Sequence, residues 1–385
     1  MTKEELKDII EIGETTTAQF KSRLESHGKD AIADEMVAMA NTLGGDIVFG
    51  VDDKTGELRD LNFQELQTIG NALSSIASDK VVPPIYITTE VVKLDDKKIL
   101  VAHVPEGVSK PYKNNYGVIF VKQAADKRRV TDNSEIMRLF QSSGTIYADE
   151  MTVSDTGIED VDMPKVLEYA KKIDPDITIE NIDATLLRNI NVMKNGKMTL
   201  GGLLFFAKEP QRFRPSLLVK AVAFYGNSLG DSDYRDSEDI DGTIPEMFKK
   251  SIAFFKRNLH HVQAGQNFNS VGILEISEIA LQELLQNAFT HRDYTRNAPI
   301  RLLIFDDRVE IISPGRLPNS QTIDNIKMGN TIARNSLVVT FASRMMKYRG
   351  LGTGIIRALK EQPNIEFIND REGDQFIVRI SREEY

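Results

Sequence analysis

One stretch constrains the chain more than any other: Ile279–Tyr294, which reads IALQELLQNAFTHRDY. Leu281, Leu284, Leu285 and Ala288 recur at the spacing of a helix with one buried face. Glu283 and Asn287 stand four residues apart, on a neighbouring stripe of that helix, and His291 continues the stripe one turn later. A carboxylate and an amide beside a buried face leave two readings open. They hold a metal ion and activate a water, or they form a solvated helix edge. For His291 a local hydrogen bond at the helix end is expected rather than catalysis.

The segments C-terminal to this helix narrow the choice. The segment PIRLLIFDDRVEIISPG reads as a hairpin turning at Asp306-Asp307, and the chain ends in the strands IEFIND and DQFIVRIS. Between them, YRGLGTGIIRALKE alternates Gly350, Gly352 and Gly354 directly before an apolar helix. Such a loop can bring several backbone N–H groups to one anion at a helix N-terminus. No strand leads straight into it and no acid is clear about 20 residues on, which argues against a dinucleotide fold. The chain also has no G-x-x-x-x-G-K-[ST] loop, so a P-loop motor is not supported.

The rest of the chain is read as an α+β, multidomain protein. Its 385 residues suit two or three domains, and 41% hydrophobic with 27% charged residues suits packed cores. Residues 1–145 form a mixed domain. A helix from Asp30 to Leu43 turns Ile32, Met36, Met39, Ala40 and Leu43 inward, with Asp30 as N-cap and Gly44-Gly45 as its stop. The strand DIVFGV comes next, then two strands around an acidic turn, the strand NYGVIFVK and the closing helix NSEIMRLFQ. Residues 146–162 are acidic and small and read as a linker. Residues 163–270 form a middle α/β region, and residues 271–385 a C-terminal domain. No internal repeat is present.

Composition sets limits on function. No apolar run reaches about 18 residues, so no membrane span is expected. MTKEELKDIIEIGE is acidic and amphipathic, unlike a secretory signal. Cysteine is absent, which excludes disulfides and thiolate metal sites and fits a cytoplasmic protein. The formal charge of −9 is a poor global match for nucleic acid. Locally, Lys110, Lys113, Lys122, Lys127, Arg128 and Arg129 face one acid, Asp126, between Val108 and Val130. That run either contacts phosphate or is a solvated basic loop.

The order of ALQELLQNAFTHRDY, DDRVEIISPGRLP, TIARNSLVV and GLGTGI resembles the GHKL ATP-binding fold of gyrase, histidine kinases and MutL. It is closer still to the C-terminal region of bacterial RecG-like or transcription-regulator proteins. The resemblance implies an α/β sandwich that binds ATP with Mg²⁺. It makes Glu283 the general base, Asn287 the Mg²⁺ ligand, and Gly350, Gly352 and Gly354 a lid over the phosphates. In one part the sequence departs. Many relatives read adenine with an aspartate in a D-x-G-x-G loop, whereas SPGRLP supplies Gly315 without it. The amide oxygen of Asn287 suits a hard cation, and a carboxylate one turn away can align a water.

At the other end GETTTAQFKS, MANTLGGDIVFGVDD and VPEGVSKPY resemble the Schlafen AlbA-like domain. That resemblance implies nucleic-acid binding and, in animal relatives, a nuclease with three acids. The acids fall on Glu14, position 19 and Asp53, but position 19 is Gln19. Loss of one carboxylate weakens a two-metal arrangement, so binding without cleavage is expected. Lys21, Lys122, Lys127, Arg128 and Arg129 are the expected phosphate contacts. Asn41, Gly44 and Gly45 are expected to serve the helix end and a close strand approach. The expected protein is an ATP-responsive binder of DNA or RNA, a homo-oligomer with at most weak ATPase activity. A nucleotide-gated, metal-dependent nuclease and an interaction scaffold with degenerate sites are the alternatives.

Overall fold

Ile32, Met36, Met39 and Ala40 share one side of the helix α2 (Lys29–Asn41) and are all buried. This α2 belongs to the first of two units, Met1–Ile146 and Tyr147–Tyr385. The computed structural model describes residues 1–25, 28–144, 146–230, 233–262, 272–317, 321–346 and 352–382. Among these residues no helix is long and apolar enough to cross a membrane.

In the first unit a capping box formed by Thr2 and Glu5 starts α1 (Lys3–Ile12). The sheet is built from β1 (Ala18–Lys21), β2 (Gly45–Phe49), β3 (Thr88–Leu94) and β4 (Lys97–Val104), in the order β1-β2-β4-β3. The pair β1–β2 is parallel and the others antiparallel. The helices α2 and α3 (Phe63–Asp79) pack on it through Met36, Ile69, Leu73 and Ile76, against Ile47, Phe49 and Ala102. A hairpin, β5 (Phe120–Gln123) and β6 (Asp126–Arg129), precedes α4 (Asn133–Ser142).

Two local expectations change. Asp30 is not the N-cap of α2. Gly28 is, without a side-chain hydrogen bond, and Asp30 instead pairs with Lys80 at 2.5 Å. Asn41 does more than end the helix. Its amide donates to Tyr112 O and Phe120 O and accepts from Tyr112 N, tying α2 to β5. Gly44 does stop the helix, at φ +72, where a Cβ would lie 2.6 Å from Glu106 N.

In the second unit one six-stranded sheet carries the core. Its strands are β7 (Val219–Phe224), β8 (Tyr234–Ile240), β9 (Ile300–Ile304), β10 (Arg308–Pro314), β11 (Ile365–Asp370) and β12 (Gln375–Ser381). Their order is β8-β7-β9-β10-β12-β11. The expected hairpin is β9–β10, closed by Phe305 N to Arg308 O at 2.8 Å. The pair β7–β9 is parallel, and it joins the 163–270 stretch to the 271–385 stretch in one sheet and one core. Residue 271 is therefore no break between folded units. One face is covered by α7 (Ile244–Asn258), α8 (Glu278–His291) and α11 (Thr353–Glu361), through residues such as Phe254, Phe255, Leu284, Leu285 and Ala358. Around the same core lie α5 (Met163–Ala170), α6 (Leu200–Phe206) and α10 (Ser336–Met345), where Tyr169, Phe206 and Phe341 meet edge-on at 5.0–5.4 Å. The short helix α9 (Ile323–Lys327) precedes α10.

Residues 146–162 are part of this core rather than a spacer. Val153 and Val161 are buried, and Asp149 has no exposed surface. Its Oδ2 accepts from Val338 N at 2.9 Å, at the start of α10, which lacks a side-chain cap of its own. Burial pushes the Asp149 carboxyl up to about 6, against a smaller lowering by its bonds to Val338 and Leu337. An acid whose folded value is raised favours folding below its unfolded value of 3.8 and loses that contribution as pH rises through 6. Asp149→Asn keeps an acceptor for Val338 N and cannot ionise. Between pH 4 and 7 the wild type should lose about 2 kcal/mol of urea-unfolding stability relative to this variant. Parallel pH profiles for the two proteins would refute that assignment.

Candidate functional site

The helix α8 holds Glu283 and Asn287 on the wall of a cleft in the second unit. Leu281, Leu284, Leu285 and Phe289 anchor it on the sheet, which fixes which side chains look outward. The cleft floor is apolar, from Ile311, Phe367, Phe376 and Val378, and its walls include Ala288, Ser313, Arg334 and Gly352–Gly354. Its apolar floor with polar groups at the rim suits a small molecule with a flat apolar part.

Glu283 is nearly buried, and Arg357 Nη2 meets its Oε1 at 2.7 Å. The Nδ2 of Asn287 is buried without a hydrogen-bond partner among the described residues. An orphaned amide at a cavity wall is unusual and points to a missing ligand atom. The backbone of Gly354 passes so close that a Cβ there would lie 2.4 Å from Glu283 Oε2 and 3.5 Å from Asn287 Nδ2. Gly352 N-caps α11 at φ +71, with no side chain capping the first turn, so the leading N–H groups stay available to a ligand. Gly350 lies outside the described residues. Gly315, at φ +94, sits where a Cβ would meet Asp293 Cβ at 2.4 Å, and lines the same cleft.

Three further groups come from the structure. Arg334, half-buried, donates to His291 O at 3.4 Å and Arg316 O at 2.6 Å. No carboxylate lies within ion-pair distance of it among the described residues. Burial works against its charge and Arg316 adds to that, while Asp293 and Asp374 offset part of it. His291 is pushed down to about 4, by burial and then by Arg334, against a backbone bond to Ile332. It is neutral at pH 7 and held at the helix end. Ser313 and Arg334 were visible only as members of SPGRLP and TIARN, because their convergence on α8 is a tertiary event.

Among the described residues no group of three or more His, Asp or Glu side chains is arranged to hold a metal ion. Mg²⁺ bound with a nucleotide needs one or two protein oxygens, the rest being waters and phosphates. The free amide of Asn287 fits that demand, since its O and N are interchangeable by rotation.

In the first unit a second polar cluster forms around Gln19. Glu14 Oε1 accepts from Gln19 Nε2 and from Phe20 N at 2.8 Å. Gln19 Oε1 accepts from Lys122 Nζ at 2.9 Å. Lys122, with its side chain fully buried, also reaches Glu35 at 3.3 Å and the carbonyl of Ala125. Lys127 meets the other oxygen of Glu35 at 3.0 Å. Asp53 is exposed in the turn after β2 and takes no part in this chain of bonds. Glu35, which no sequence motif singles out, is the acid that joins the cluster. Arg128 makes a two-pronged pair with Glu135 at 2.7 and 3.1 Å. Arg129 is exposed and Lys21 half-buried, and neither has a carboxylate partner among the described residues.

Comparison with known proteins matches this division. The Schlafen, AlbA_2 family matches residues 14–131, which include the Gln19 cluster and the whole β5–β6 hairpin. The family described as "Putative ATP-dependent DNA helicase recG C-terminal" matches residues 297–380. That match begins after α8 and takes in Ser313, Gly315, Arg334 and the glycine loop. No curated protein matches the chain. Among solved structures, the DIP2311 protein of Corynebacterium diphtheriae is 19% identical over 95% of this chain and 75% of that one, with TM-score 0.46. The N-terminal domain of a "Putative ATP-dependent DNA Helicase RecG-related Protein" from Nitrosomonas europaea is 18% identical over 34% of this chain and 96% of that one, with TM-score 0.25. The chain carries an N-terminal Schlafen AlbA_2 domain and, towards its C-terminus, a domain that matches the recG C-terminal family.

Proposed function

We propose that this protein binds ATP with Mg²⁺ in the α8 cleft and DNA or RNA through its first unit, and that nucleotide occupancy sets its assembly and its hold on nucleic acid. The observation that carries the reading is the orphaned Asn287 amide, set beneath Gly354 and beside the open first turn of α11. Asn287 would hold the metal, which when bound neutralises phosphate oxygens. The N–H groups from Gly352 onward and the guanidinium of Arg334 suit the phosphates, and the apolar floor suits a base. Glu283 is the carboxylate placed to orient a water, but Arg357 already holds it. Slow turnover, or binding alone, fits that arrangement better than a fast ATPase.

In the first unit the Gln19 cluster supports binding over cleavage. The position that a third acid would occupy is an amide tied to a buried ammonium. Among the described residues Lys21, on the same strand as Gln19, and Arg129 have no carboxylate partner.

Asn287→Ala should weaken Mg–ATP affinity tenfold or more, about 1.4 kcal/mol, while the melting temperature of the ligand-free protein is kept. Absence of binding by the wild type at millimolar ATP in calorimetry would sink the reading. Sedimentation with and without ATP would read the homo-oligomer.

For nucleic acid, Arg129→Glu with Lys21→Glu should weaken binding across sequences and flatten the salt slope by about 1 for each phosphate left without its cation. An unchanged slope would move the surface elsewhere. Labelled RNA and DNA should stay intact with Mn²⁺, in the wild type and in Gln19→Glu, because Lys122 neutralises a carboxylate at that position. Cleavage abolished by Glu14→Ala would establish a nuclease instead.

A further inference from the structure

The α8 cleft has a chemical bias in how it meets a base. Along its sheet floor the lining side chains are Ile311, Ser313, Phe367, Phe376 and Val378, so Ser313 is the polar group among them. Ser313 is 8% exposed, and its hydroxyl has one long contact, to Phe376 O at 3.5 Å. Among the described lining residues the one carboxylate is Glu283, which belongs to the Asn287–Gly354 end and is paired with Arg357. The other polar side chains that line the cleft include Gln321 and Asn330, which both donate and accept, and Arg316 and Arg334, which only donate.

A purine carries either an amino group or a carbonyl at position 6. An acceptor-only carboxylate selects the amino group, because a carbonyl opposite it leaves two acceptors facing each other. A hydroxyl rotates and serves either partner. From Ser313 at the apolar floor, we propose that this cleft takes purine nucleoside triphosphates without selecting the 6-amino over the 6-oxo form. The inference rests on the nucleotide reading above and deepens it.

The test compares ATP with ITP, in which a carbonyl replaces the 6-amino group and N1 gains a proton, by calorimetry on the full chain with Mg²⁺. The wild type should bind the two with affinities within about threefold, since either one finds a partner in the hydroxyl. Ser313→Asp should weaken ITP at least tenfold relative to ATP, as expected where a buried polar group is left facing the wrong partner. Ser313→Ala, which keeps the packing volume small and adds no charge, should weaken both nucleotides equally. Tight ATP binding with ITP weaker tenfold or more in the wild type would overturn the proposal and leave the nucleotide site standing. Unequal weakening in Ser313→Ala would overturn it as well. Binding of neither nucleotide by the wild type would remove the nucleotide reading itself, and this inference with it.

Discussion

The phase of α8 on its sheet is the constraint from which the second unit follows. Leu281, Leu284, Leu285 and Phe289 are all nearly or fully buried against it. A slip of one residue turns the helix by about 100° and would drive Glu283 toward the apolar floor. Burying an unpaired carboxylate there costs far more than the packing differences at stake. The phase that buries four large side chains is therefore the one that delivers Glu283 and Asn287 to the cleft. The approach of α11 then depends on Gly354, where the absent side chain lets backbone reach both groups. Packing and site are one arrangement here, because the hydrophobic stripe and the polar stripe share a helix only 14 residues long.

That helix was legible because its signal is local. The same holds for α2 and for the β9–β10 hairpin with Asp306-Asp307 at its turn. The boundary drawn at 271 was not, since the parallel pairing of Val219–Ala223 with Ile300–Ile304 spans two helices and leaves no mark in either strand. The acidic segment 146–162 read as a linker for a similar reason. Nothing near Asp149 in sequence shows that it will cap a helix starting at Ser336. In the candidate site, Glu283, Asn287 and the glycines were visible as motifs. Arg357 was not, because its partner Glu283 belongs to a different helix.

The first unit shows how a charge run can mislead. Lys122, Lys127 and Arg128 lie in a basic stretch that reads as a phosphate-binding surface. Lys122 is instead an interior group whose partners, Gln19 and Glu35, are 103 and 87 residues away. An ammonium out of water is tolerated only with such oxygens around it, and removing any of them leaves a buried charge uncompensated. Lys127 shares Glu35 and Arg128 is taken by Glu135, so internal pairing uses most of the run. What stays available at the surface is smaller than composition implies, and it centres on Arg129.

Local and global charge also part company in the second unit. The chain is formally −9, yet the cleft gathers Arg316, Arg334 and Arg357 against Glu283, with His291 held neutral. Walls of low polarity concentrate that field, which is the condition under which the proposed polyanion would enter despite the net charge. Arg334 faces carbonyl oxygens with no carboxylate at ion-pair distance among the described residues, an arrangement that an arriving anion would improve. Ligand binding to the folded state alone then adds stability in proportion to its affinity. Arg357 has a different position, because it is already satisfied by Glu283. A phosphate within its reach competes with that carboxylate for the same guanidinium. In the proposed nucleotide complex, the more Arg357 turned to a phosphate, the freer Glu283 would become to accept a proton from water, so one arginine would link occupancy of the cleft to the state of that carboxylate.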